Sequence, residues 1–440
     1  MTDTASPMNG TAGVCPMSKF AAEFNPFTDP YLSDPYPILA RGRREEPVFY
    51  SPELDYYVVT RYDDVRAVFR NIKTFSADVT VEPITPFFDS SLSKLAQVGF
   101  VPGPSLVNED EPVHMKRRKR LSRLFSRDNV DSLEPRIRAL VNTYIDKIVT
   151  RGSADIVADL VWEIPALVAF MIMGVPDEDV NKVKQFATRR TLLTWGRPTE
   201  AEQNALVDDV GEYWNYCIEH IAKTKKGPGN DFVGELVRAG EEDPDLFDDI
   251  AIRTLMMNFL FAAHETTTNA TANGIKALLE LRDQWNALCA DPELIPNAVE
   301  ECLRYSSSVI AWRRRAMIAT EIGGVEIPEN ARILLILGSA NHDDSTFVNG
   351  DEFDIRRTDA ARHISFGVGT HTCLGAPVAR LEMRIILEEL SRRLPHLALT
   401  DNQDFSYSAN TSFRGPDQVL VRWDPDLNPV EADRPGHRQQ

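Results

Sequence analysis

The sequence predicts a mainly α-helical chain with a small β region, folded as one large domain. Three observations lead there. Helical periodicity covers most of the chain, as in Leu133–Val149 and Ile156–Met173. Strand-like segments are few. One stretch, from Asp248 to Leu281, keeps a helical pattern with no proline, far beyond the usual helix of about 11 residues.

The elements follow in chain order. Residues 1–24 hold Pro, Gly, Asn and Ser without an apolar core, so they read as a flexible tail and not as a secretory signal. Tyr56–Thr60 reads as a strand and Tyr62–Arg70 as the helix after it. Gly174 and Pro176 stop Ile156–Met173. In the long segment, Phe259 to Ala263 are apolar on every side, so the helix must cross the core. The β-branched run Thr266–Thr268 then weakens it locally, and a Thr hydroxyl can bond the carbonyl four residues back. Gly324–Ile327 and Arg332–Leu337 form a hairpin-like pair around Pro328-Glu329-Asn330. Ala376–Leu390 is the last helix. The folded domain is expected over 25–425, and the polar, proline-punctuated 426–440 reads as a second flexible tail or linker stub.

Composition excludes several functions. With 440 residues, 43% of them apolar, the chain can bury a large core without disulfides. Its five cysteines are irregularly spaced and include no CxxC pair. That argues against a disulfide framework, a zinc site or a four-Cys iron–sulfur cluster, and suits a reducing cytoplasm. No stretch approaches the ~20 apolar residues that span a bilayer. The net charge of −18 gives little reason to bind nucleic acid. Against that background Lys116, Arg117, Arg118, Lys119, Arg120 and Arg123 stand out. They read either as a solvated helix face or as a docking patch for an acidic partner with contacts to an anionic cofactor.

The strongest chemical signal is Phe366-Gly367-Val368-Gly369-Thr370-His371-Thr372-Cys373-Leu374-Gly375. Two glycines before a lone Cys allow a tight turn that brings backbone close to a planar ligand. A helix starting just after the Cys aims its free N–H groups at the sulfur and favours the thiolate. The spacing resembles the haem-binding loop of the cytochrome P450 superfamily, Phe-Gly-x-Gly-x-His/Arg-x-Cys-x-Gly. The resemblance implies a P450 fold with haem b (iron protoporphyrin IX) between the long helix and this loop. Cys373 would then be the iron ligand, His371 a propionate partner, and Phe366 and Gly375 neighbours of the thiolate and haem.

Further segments carry the same resemblance. Glu301-Cys302-Leu303-Arg304 matches the family's Glu-x-x-Arg pair, a buried structural lock. The family often completes it with an Arg where this chain has Glu352, which leaves Arg356 as the expected third member. His114 and Arg118, four apart on one helix face, resemble the pair that grips a propionate. Arg314, counted back from Gly323-Gly324 with one residue of latitude, resembles another propionate arginine. Ala262-Ala263-His264-Glu265-Thr266 resembles the oxygen-activating stretch, with Ala263 where Gly is more usual. Glu265 and Thr266 would relay protons, Ala262 would touch the haem, and His264 reads as a polar packing residue.

The implied activity is insertion of one oxygen atom from O2 into a small apolar, possibly aromatic substrate, by hydroxylation or O-/N-dealkylation. Thiolate ligation favours O–O cleavage. With no dinucleotide fingerprint in the chain, electrons from NAD(P)H would arrive through a ferredoxin or a flavin/iron–sulfur reductase docked on the basic face. The chain resembles most the thiocarbamate-herbicide group, which includes reductase-fused, self-sufficient members. Ala263, Val309, Ile310 and Phe413 are the expected pocket residues, along with the loop Val79–Val107 and Leu192–Trp195. Rival readings are a peroxide-driven peroxygenase, a haem-based small-molecule binding or sensing protein, and an isomerase or dehydratase on the same haem.

Overall fold

The long helix spans Asp249–Glu280 in the computed structural model, which describes residues 19–103, 105–186 and 191–429. The Asp248 carboxylate caps it, accepting from the Ala251 N–H. Most of its 32 residues are buried, against the helices Glu163–Met173, Glu200–Thr224, Phe232–Glu242, Ile295–Tyr305 and Ala376–Arg393. Gly274 allows a close approach to one of these helices. A Cβ there would lie 2.9 Å from the Cys302 side chain on Ile295–Tyr305. The threonine run behaves as its chemistry dictates. Thr266 and Thr271 donate to the carbonyls of Ala262 and Thr267, at 2.7 and 2.8 Å.

Ile156–Met173, expected as one helix, is two. Val157–Val161 is a π-helical turn, with Trp162 N donating to Val157 O at 2.9 Å, and the α-helix begins at Glu163. Pro165 is the physical reason. It has no N–H to give the Val161 carbonyl four residues back. The Thr268 hydroxyl on the long helix takes that carbonyl instead, at 2.8 Å. Gly174 ends the helix in the left-handed region at φ 78°.

The main sheet has the order Val48–Ser51, Tyr56–Val59, Arg332–Leu335, Trp312–Ala316, Phe75–Ser76. Tyr56–Val59 and Arg332–Leu335 pair in parallel and the other neighbours are antiparallel. The expected hairpin is therefore corrected. Val325–Ile327 pairs with Thr320–Ile322 around Gly323 and Gly324. Both glycines have positive φ, 57° and 85°, as a tight two-residue turn requires. Arg332–Leu335 belongs to the main sheet, where a buried central strand finds partners on both edges.

The tail boundaries also move. Lys19–Glu23 is helical, and Phe20 and Phe24 pack edge-on against Phe49 at 5.0 and 5.3 Å. The packed chain thus starts before residue 25. At the other end, Asn428 donates to Val149 O, as does the indole of buried Trp423. Residues 1–18 and 430–440 of the two expected tails lie outside the described residues. Among the described residues, no helix is long and apolar enough to cross a membrane.

Candidate active site

The cysteine loop is built by local rules. Gly367 and Gly369 sit at φ 67° and 83°, conformations that side chains oppose. They fold the segment back so that Cys373 N donates to Phe366 O at 2.9 Å. The helix Ala376–Arg393 starts three residues later. The N–H groups of Gly375 and Ala376 point at the sulfur. Burial pushes the thiol pKa up, while these two N–H groups, Arg118 and Arg380 pull it back toward the thiolate. Although protein atoms desolvate the sulfur, the Cys373 side chain keeps accessible surface, as one lining an interior hollow does. Arg380 lies 4.6 Å over the Phe366 ring and forks onto the Glu300 carboxylate at 2.6 and 2.8 Å, which also meets His363 Nε2 at 3.1 Å.

Next to this loop is a cluster of cationic and imidazole groups. His114 and His371 stack with ring centroids 3.8 Å apart. His114 Nδ1 is 3.0 Å from Glu111 Oε1. Its Nε2 is buried and has no hydrogen-bond partner among the described residues. Arg118 reaches across to the Thr372 carbonyl. Arg314 is 2% exposed, donates to its neighbour's carbonyl, and pairs with no carboxylate among the described residues. Burial, then Arg314, His114 and Arg118, push the His371 imidazole down to about 3, so it is neutral. Only the more distant Asp110 charge supports the Arg314 guanidinium; a buried guanidinium with no carboxylate in direct contact is costly, and a buried ring nitrogen without a partner is rare. Both needs are met by a group bearing carboxylates. Strand alternation separates the two neighbouring arginines. Arg314 faces the histidines, while Arg313 turns to the other side and donates to the carbonyls of Glu82 and Thr194 and to Thr411 Oγ1.

The long helix carries the remaining candidate residues. Ala262 is exposed in the middle of this mostly buried helix. Ala263 is half-buried against the helical core. Glu265 is buried, and its Oε1 accepts from the Thr191 hydroxyl at 3.1 Å. Thr266, half-buried, donates to Ala262 O. The acid and the alcohol are sequence neighbours with different partners. His264 packs as expected. Its Nε2 is 2.7 Å from Trp162 O, and burial pushes its pKa down to about 4. Being neutral, it donates from Nε2.

The structural lock forms between Glu301 and Arg304, both 0% exposed, through a fork of 2.7 and 2.8 Å. Arg304 also donates to the carbonyls of Asn341, Gly350 and Glu352. The third member is Arg357 and not Arg356, with its Nε 3.4 Å from Glu301 Oε1. Position 352 contributes a backbone carbonyl, which its acidic side chain does not disturb.

The expected pocket residues divide. Val309 and Phe413 bridge each other, and Phe413 joins an aromatic cluster with Trp195, Phe261 and Trp312 at 4.8, 5.6 and 6.0 Å. Ile310 is a correction. It is 2% exposed and packs with Phe49, Leu334 and Ile336 in the sheet core. The basic run is thinner than its sequence suggests. Arg117 pairs with Glu109, Arg120 with Glu235 and Glu242, and Arg118 turns inward. Lys116, Lys119 and Arg123 remain exposed.

Thr191, Arg357 and the Glu300–His363–Arg380 cluster escaped the sequence. The first two have no local signal, while the third adjoins the glutamate and cysteine motifs.

The cytochrome P450 family model matches residues 289–406. Over 399 residues the chain is 35% identical to cytochrome P450-SU2 of Streptomyces griseolus, covering 89% of this chain and 94% of that protein. In structure it is similar to an intact type IV self-sufficient cytochrome P450 monooxygenase, with TM-score 0.93 and 48% identity. The match covers 95% of this chain and 55% of that one, so the chain spans about half the length of the self-sufficient enzyme. The P450 heme domain of Tepidiphilus thermophilus gives TM-score 0.90 at 41% identity, over 92% of this chain and 98% of that one. The unpaired nitrogen of His114, the lone Arg314 and the capped sulfur of Cys373 are what a carboxylate-bearing iron porphyrin needs, and the likeness runs through nearly the whole sequence: the chain belongs to the cytochrome P450 monooxygenases, whose cofactor is haem.

Proposed function

We propose that this monooxygenase hydroxylates or dealkylates a small, mainly apolar substrate carrying an aromatic ring. NAD(P)H electrons reach it through a ferredoxin or a flavin/iron–sulfur reductase. The observation that carries the substrate class is the cluster of Trp195, Phe261, Trp312 and Phe413 next to the exposed Ala262. Aromatic rings prefer aromatic walls, and Phe261 and Trp312 keep some exposed surface.

When bound, haem supplies activation of molecular oxygen and its insertion into a C–H bond. The chain's own groups do the rest. Cys373 Sγ holds the iron, with the Gly375 and Ala376 N–H groups favouring its anionic form. His114 Nε2, Arg118, Arg314 and His371 hold the propionates. Glu265 would hold a proton and release it to a water, which Thr266 Oγ1, its own hydrogen committed to Ala262 O, would position by accepting a hydrogen bond from it. Lys116 and Lys119, on the helix whose Arg118 reaches the cysteine loop, and Arg123 in the turn after it offer an acidic redox partner a short basic edge. Four described cysteines are free thiols, which suits a reducing cytoplasm.

The test is a spectral survey of small aromatic compounds for displacement of water from ferric iron, followed by turnover of those that bind. Product is expected only with NAD(P)H and a reductase. Turnover on hydrogen peroxide alone, independent of reductase, would instead make this a peroxygenase. Binding without NAD(P)H consumption would make it a sensor.

A further inference from the structure

The short helix Thr191–Trp195 touches the long helix at two places. At one end the Thr191 hydroxyl, 0% exposed, donates to Glu265 Oε1 at 3.1 Å. At the other, the Trp195 indole stacks on Phe261 with centroids 5.5 Å apart and planes 14° from parallel. Thr191 and Trp195 are four residues apart, and so are Glu265 and Phe261. Residues four apart share a helix face, and the order is reversed between the two pairs. The short helix is therefore an antiparallel splint, one turn long, laid on the turn of the long helix that carries the acid.

Among the described residues, the two ends of the splint are held differently. Around Trp195, Thr411 N donates to the Trp195 carbonyl at 2.9 Å. Ile84 N and Arg313 Nη2 donate to the Thr194 carbonyl at 3.0 and 3.3 Å. Trp195 also packs against Phe413 and Trp312 in the aromatic cluster. That end is part of the proposed substrate wall. At the Thr191 end, the contact is with the proposed proton carrier.

We infer that Thr191 is a positioning residue for Glu265: its hydroxyl fixes the carboxylate rotamer, so proton delivery is in register only when the Thr191–Trp195 helix is seated. This rests on Glu265 acting in the relay. A glutamate side chain has three rotatable bonds, and a buried hydrogen bond to one of its oxygens favours one arrangement over the others. Because Trp195 lines the substrate wall, seating that helix links an occupied pocket to an aligned acid.

The test compares haem-loaded wild type with Thr191→Val, Thr191→Ser and Glu265→Gln. Valine keeps the branched shape and removes the hydroxyl, whereas serine keeps the hydroxyl. Amide hydrogen exchange over the short helix is expected to rise about tenfold in Thr191→Val and to stay near wild type in Thr191→Ser. With substrate, Thr191→Val should lower the fraction of NAD(P)H electrons recovered in product several-fold and raise the solvent isotope effect on kcat, with KM little changed. Serine should restore both. If Glu265→Gln is uncoupled while Thr191→Val matches wild type, the positioning role is wrong and the relay stands. If valine and serine are equally impaired, Thr191 only fills space and the inference fails. If Glu265→Gln itself couples normally, the relay reading falls and the inference with it.

Discussion

The cysteine side and the long-helix side of the site are built on opposite plans. On the cysteine side, the turn, the ligand and the N–H groups that cap it come from one run, Phe366 to Ala376. On the long-helix side, the acid and the alcohol are adjacent in sequence but take partners far away or one turn back, Thr191 for Glu265 and Ala262 for Thr266. A site written in one short segment is rigid and readable. A site assembled across the chain depends on how the elements are seated, and so can be adjusted by what binds between them.

The predictions sharpen that contrast, from the largest effect down. Arg304→Ala would leave the fully buried Glu301 carboxylate without its fork. The expected cost is about 3–5 kcal/mol, read by chemical denaturation, with haem retention failing alongside. Survival of that variant at near wild-type stability would remove the lock from the support of the cysteine side.

The second concerns acid. Burial pushes His264 down to about 4 in the fold, against about 6.5 for an ordinary histidine. Between those pH values the unfolded chain binds a proton that the folded chain refuses, so stability falls as pH drops from 6.5 toward 4. His264→Phe should remove up to about 3 kcal/mol of that acid-linked loss. Thermal melts at pH 7 and pH 5 would reveal it. An unchanged pH slope would mean that burial does not hold the ring neutral.

The third is Thr266→Ala, which should keep haem and fold while diverting electrons to hydrogen peroxide. A loss of coupling of about tenfold is expected, from peroxide and product measured together. Normal coupling would deny the hydroxyl its role. The smallest is a pair. Arg357→Ala should cost about 1 kcal/mol, as a hydrogen-bonded neighbour of Glu301, and Arg356→Ala under about 0.5 kcal/mol.

How much of this could be read from the chain follows the same division. The cysteine loop was legible because glycine φ, cysteine and helix start are all local. The long helix was legible because it is apolar all round and uninterrupted. Arg314 needed the two-residue alternation of its strand to be told from Arg313. The sheet partner of Arg332–Leu335 is Tyr56–Val59, too distant in sequence for a hairpin pattern to find. The break at Trp162 was written in Pro165, but its consequence appears only once Thr268 is seen to take the orphaned carbonyl. Arg357 was missed by one residue, because turns and not periodicity aim its side chain. Thr191 was invisible, since 74 residues separate it from Glu265.

The claim on which the rest depends is the bond from Cys373 to haem iron, and the ferrous–carbon monoxide absorption spectrum tests it most directly. Purified wild type is expected to show the strongly red-shifted band of a thiolate ligand, and Cys373→Ser to lose it. A wild-type spectrum typical of a nitrogen ligand, or an unshifted band in the serine variant, would contradict the assignment of Cys373.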